Sequence, residues 1–159
     1  LSKQVRAPLF DRLIDRDPGV RREPRPLRTL DRRGLRESIR RELEHLFNTR
    51  SPLPADRLQG RDRTVVEYGV PDLAVLAPGR EEDRQRLAAV LRQAIEAYEP
   101  RLAQVRVAVD TPPPDPTRGH TLRARIEATL VVEEVPESVS FGLALGAEGV
   151  EVTAEVTAS

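Results

Sequence analysis

Two periodicities divide this chain. Leu35, Ile39, Leu43, Leu46 and Phe47 recur every three or four positions, and Leu87, Leu91, Ala94, Ile95 and Tyr98 do the same, which predicts two helices with one apolar face each. Beyond Pro100 the period falls to two. Val105, Val107 and Val109 alternate with other residues, as do Leu122, Ala124, Ile126, Ala128, Leu130 and Val132, then Val139, Phe141, Leu143 and Leu145, and finally Val150, Val152, Ala154 and Val156. The expected fold is α+β, with about three helices followed by a mixed or antiparallel sheet of about four strands.

The breaks between these runs have identifiable chemistry. The first helix stops near Asn48, ahead of Pro52 and Pro54. The long one opens near Glu81, Glu82 and Asp83, whose charges suit a helix N-terminus. Residues 62–68 read as a short helix closed by Gly69 in the left-handed region, with Pro71 preventing continuation. Residues 111–119 form a proline-rich excursion too long for a tight hairpin, suited to a stiff surface loop or a ligand for a proline-binding module. Residues 1–30 hold four prolines and little periodicity, so they read as an extended N-terminal arm carrying one helical turn, with a single domain over residues 31–159. Leu9, Phe10, Leu13 and Ile14 cluster in that arm without joining either periodic pattern, and are expected to dock on a partner.

Glu99-Pro100-Arg101 marks the switch from helix to strand. Proline disfavours helical backbone at Glu99 and cannot continue the hydrogen-bond ladder, so it fixes a kink with an acid and a base beside it. Two readings follow. The charges pair with each other at a stop signal, or they are held out toward something else.

Neighbouring segments favour the second. Leu9-Phe10-Asp11-Arg12-Leu13, the helix segment from Leu35 to Leu43, Phe47-Asn48-Thr49-Arg50, Val65-Val66-Glu67-Tyr68-Gly69-Val70-Pro71-Asp72 and the helix ending Tyr98-Glu99-Pro100-Arg101 follow one another in a specific order. From about Leu9 to about Leu130 this set resembles the TssE subunits of bacterial type VI secretion systems, a baseplate-wedge family of contractile machines similar to gene product twenty-five of T-even phages. Phe47 stands where leucine is commoner and Tyr98 where phenylalanine is usual, and both keep an apolar body. The resemblance implies a structural, non-enzymatic subunit that joins a wedge of TssF, TssG and TssK, touches the first ring of the TssB–TssC sheath and helps to nucleate it. It also implies a bacterial cytoplasmic protein recruited to a membrane-docked baseplate. Glu99, Pro100 and Arg101 would bind wedge partners, and Arg101→Ala would abolish assembly with melting nearly unchanged.

Composition narrows the chemistry. The 159 residues should bury ~70% of their unfolded surface. With no cysteine, thiol nucleophiles, disulfides and thiolate metal sites are excluded, and two histidines, His45 and His120, make a dedicated zinc site a poor expectation. No phosphate-binding glycine loop or serine elbow is present, and no apolar run is long enough to span a bilayer. No catalytic residue, metal or cofactor is therefore expected, nor direct membrane insertion. Carboxylates are plentiful, and the wedge family has carried a lysozyme-like label, so a glycosidase acting on peptidoglycan is the enzymatic alternative. Glu99 is its best acid, but Arg101 two residues away would hold it ionised.

Charge sums to zero yet is uneven. Residues 1–50 hold 14 Lys/Arg against 8 Asp/Glu, residues 51–102 hold 8 against 9, and residues 103–159 hold 4 against 9. Nine arginines between Arg21 and Arg41 raise a nucleic-acid-binding alternative. Because Lys3 is the only lysine, arginine is the general-purpose cation here, and a partner-facing or solvated helix is the preferred reading, without nucleic acid. The last strand contains no proline or lysine, so Val150 and Val152 would line an edge open to a foreign strand, which the resemblance implies is a sheath strand, unless the last strand is central or covered.

Overall fold

The computed structural model describes residues 5–8, 12–13, 18–21, 29–58, 60, 62–73, 80–110, 122–131, 136–146 and 149–155. The chain forms two compact units, residues 1–39 and residues 40–159, and the division falls inside its first long helix.

In the first unit, β1 (Val5–Arg6) pairs antiparallel with β2 (Thr29–Leu30). The sequence reading does not anticipate this ladder, because two residues carry no legible alternation. Arg12 and Leu13 have helical backbone, and the Arg12 amide donates to the Pro8 carbonyl at 3.2 Å. Helix α1 spans Arg32–Asn48, and Asp31 starts it by accepting the Gly34 amide at 2.7 Å.

The second unit carries the remaining elements. After α1 come a single turn, α2 (Ala55–Leu58), a 3-10 turn at Val65–Glu67 and the long helix α3 (Glu81–Tyr98). Strands β3 (Leu102–Asp110), β4 (Leu122–Leu130), β5 (Glu137–Gly146) and β6 (Gly149–Glu155) follow. They form one antiparallel sheet in sequential order β3-β4-β5-β6. The expected α+β fold, with its helices first and four strands after them, is present. Residues 111–119, the proline-rich excursion, lie outside the described residues, as do Leu9, Phe10, Ile14 and His120.

One sheet face is apolar. Ile126 pairs with Phe141, and Leu143 with Val152, and all four are buried, as are Leu91, Ala94 and Ile95 of α3. A bulge interrupts β3 between Ala103 and Arg106, where Gln104 takes φ 53°. The extra residue resets the alternation, so Leu102 and Val105 are both buried despite their odd spacing. The opposite face carries Arg123, Arg125 and Glu127 on β4 and Glu151, Thr153 and Glu155 on β6, all exposed. Glu155 lies 3.5 Å from Arg125 and accepts from the Ser140 hydroxyl at 3.0 Å.

Residues 62–68 differ from the single short helix expected. Thr64 is extended, at φ −107° and ψ 178°, and helical turning is confined to Val65–Glu67. The reason is a capping box. Glu67 accepts the Thr64 amide at 2.8 Å and its hydroxyl at 2.6 Å, while that hydroxyl accepts the Val66 amide at 3.2 Å. Gly69 follows at φ 108°, left-handed as expected.

Candidate wedge surface

The exits of α1 and α3 bring the motif residues together. At the α1 exit, the Val70 amide donates to the Thr49 carbonyl at 2.9 Å, and the Ser51 amide donates to the Val70 carbonyl at 2.8 Å. This forms an isolated parallel bridge between Arg50 and Val70, flanked by an Arg50–Asp72 ion pair at 3.3 Å. Gly69 is required there. A Cβ at that position would lie 2.3 Å from the Thr49 carbonyl oxygen. The segments ending in Arg50 and Asp72, separate in sequence, are thus one joint. Pro52, Leu53, Pro71, Leu73, Ala89 and Val90 line a neighbouring hollow of about 620 Å³.

Tyr68 leads from this joint to the α3 exit. Its ring lies 5.9 Å from that of His45 on α1 and meets Tyr98 of α3 edge to face at 5.1 Å. Tyr98 in turn donates its hydroxyl to the Thr64 carbonyl at 2.9 Å, tying α3 to the capped turn. Burial pushes the Tyr68 phenol above its usual range, and Glu42, Glu99 and Tyr98 push it the same way. Tyr98 is raised too, chiefly by burial and further by Glu67, with Arg63 opposing.

At the α3 exit the two charges of Glu99-Pro100-Arg101 face each other. Glu99 caps α3, its amide donating to the Ile95 carbonyl at 2.8 Å, and only 3% of the residue is exposed. Arg101 Nε donates to Glu99 Oε1 at 2.6 Å, its Nη2 donates to Oε2, and its amide donates to Oε1 at 3.2 Å. The fork closes on both carboxylate oxygens. Glu99 is an internal anchor that aims the guanidinium, while Arg101 is partly accessible and Pro100 exposed. Of the two readings open in the sequence, the mutual pairing is the geometry present, because the short turn lets the Arg101 side chain fold back on the residue two before it.

Residues 33–135 match the family of baseplate wedge protein gp25. The chain belongs to that baseplate wedge family. No curated protein matches it. The match begins in α1 and ends just beyond β4, so it contains both exits, the capped turn and the first half of the sheet.

Val65 and Val66 are 87% and 72% exposed on a turn fixed by the capping box and by Tyr98. The sequence reading places them in a short helix without assigning them a face, and only the Thr64–Glu67 spacing could have shown that the turn aims them outward. Leu13 of the arm is 69% exposed. β6 is an edge strand, and the outward backbone groups of Val150 and Val152 are engaged by side chains of α1. Among the described residues no group of three or more histidine, cysteine, aspartate or glutamate side chains could hold a metal ion, and no helix is long and apolar enough to cross a membrane.

Proposed function

We propose that this chain is the structural wedge subunit of a type VI secretion baseplate. It links a wedge of TssF, TssG and TssK to the first TssB–TssC sheath ring, helps to nucleate the sheath, and works in the bacterial cytoplasm without catalytic turnover. The family match over residues 33–135 carries this reading. The site geometry supports its non-enzymatic part. Glu99 gives both oxygens to Arg101, and Glu67 is held by the Thr64 amide and hydroxyl, so both candidate acids are engaged inside the fold and not presented to a saccharide cleft. Wedge contact would fall on Pro100, on the guanidinium that Glu99 steadies and on Val65 and Val66.

The test is co-expression with candidate wedge and sheath subunits, followed by purification at moderate salt. A stoichiometric complex with the wedge subunits is expected. Recovery of the chain alone, together with saturable release of sugar from peptidoglycan that Glu99→Gln abolishes, would replace the structural reading with the enzymatic one.

A further inference from the structure

Strand β6 ends the sheet, and its outer edge is closed by a row of side chains from α1. Asn48 does most of this, accepting the Val150 amide at 2.9 Å and donating to the Val150 carbonyl at 2.7 Å. One helical turn earlier, Glu44 accepts the Val152 amide at 3.4 Å, a long bond. One turn earlier again, Arg40 donates to the Val152 carbonyl at 3.0 Å and to Glu44 at 2.8 Å.

The fit is geometric. Four helical residues advance about 6 Å, close to the roughly 6.6–6.8 Å covered by two strand residues, so Asn48 and Glu44 keep step with Val150 and Val152, and the longer Arg40 side chain reaches back to the Val152 carbonyl. A carboxamide carries a donor and an acceptor side by side, as a peptide group does, and Asn48 meets Val150 as a neighbouring strand would. Gly149 leaves it room. A Cβ there would sit 2.7 Å from Asn48 Oδ1.

We propose that Arg40, Glu44 and Asn48 form a latch that closes the β6 edge and keeps the free subunit from pairing edge to edge with a second copy of itself. Apart from Glu151 and Glu155, β6 itself carries little to deter pairing, so its protection rests on α1. β6 contains no proline and no lysine, whereas the opposite edge strand β3 carries a bulge. A second copy offers the identical strand, and two such edges meet antiparallel under two-fold symmetry. The latch is polar and partly solvated, with Arg40 and Glu44 side chains 21% and 33% exposed, so water can take over its bonds when it opens. A sheath strand at Val150 and Val152 would also have to open it, but the latch stands without that reading.

The test compares the full chain with Glu44→Ala/Asn48→Ala, which preserves helix propensity, by amide exchange and sedimentation velocity. Opening should make the Val150 and Val152 amides exchange about tenfold faster, roughly the factor for one lost hydrogen bond, while Glu151 and Thr153, facing β5, keep their protection. The variant should also form a concentration-dependent dimer where the parent stays monomeric. Unchanged exchange at Val150 and Val152, or an opened edge that stays monomeric at every concentration, would overturn the latch. Loss of protection at all four amides together would overturn it too, making α1 a brace required for β6 to form. Should the double variant not fold, Asn48→Asp keeps the side-chain size, sets a carboxylate oxygen against the Val150 carbonyl and takes the same readouts. No sheath or wedge protein enters the experiment, so its outcome is separate from that of the proposed function.

Discussion

Arg101 illustrates how far a residue's role depends on what its neighbour can reach. On sequence alone, removing it is expected to leave melting nearly unchanged, since an exposed charge contributes little. In the structure its guanidinium is the partner of a carboxylate whose side chain is 4% exposed. Truncation would leave that carboxylate buried and uncompensated, at a cost of about 3–5 kcal/mol. Arg101→Ala should therefore lower the urea midpoint substantially, and Glu99→Gln in the same chain should recover part of the loss by removing the orphaned charge. A midpoint unchanged in Arg101→Ala would show that the fork contributes nothing in solution. The pairing was one of two readings open in the sequence. Spacing of two placed both groups at the kink, but the choice rests on the backbone of Glu99, at φ −121° and ψ 77°, which no residue pattern specifies.

At the scale of elements, strong periodicity was legible and orientation was not. Helix α3 begins and ends where its acidic first turn and Pro100 indicate, and the four strands contain the alternating runs, apart from Val132 and Val156, which lie outside the described residues. Alternation assigns side chains to faces but says nothing about which lateral neighbour each amide meets, because that depends on strand order. The outward amides of Val150 and Val152 imply that Thr153 points its amide at β5, so proline at Thr153 would break the sheet's own ladder and would not block the outer edge. The joint between Arg50 and Val70 was hidden for a similar reason, since a single parallel bridge leaves no repeat. Gly69 gives a direct test of that joint. A left-handed backbone costs a non-glycine residue about 1–3 kcal/mol, and at Gly69 a methyl group would in addition strike the Thr49 carbonyl. Gly60 is the control, at φ 70° with nothing within 4 Å of the added carbon. Gly69→Ala should destabilise markedly more than Gly60→Ala in parallel urea titrations, and equal losses would mean that the Thr49–Val70 crossing yields at no cost.

Across the whole molecule, the chain runs from a net +6 over residues 1–50 to −5 over residues 103–159, a distribution suited to a subunit held between partners of opposite sign. Charge of this kind steers and orients association, but lasting wedge attachment needs buried apolar area. Leu13 supplies a test of where that area comes from. It lies in the basic third and is 69% exposed, so the subunit's own fold gains little from it. Full burial of a leucine is worth roughly 1.5–3 kcal/mol, about a tenfold to hundredfold change in affinity. Leu13→Asp should accordingly leave the melting transition in place, as surface substitutions do, while weakening co-purification with wedge subunits by at least about tenfold. The two measurements separate the roles open to Leu13. A lowered melting temperature with wedge binding intact would assign Leu13 to the subunit's own packing, and no change in either would remove Leu13 from the interface, so that the apolar area for attachment would have to come from elsewhere.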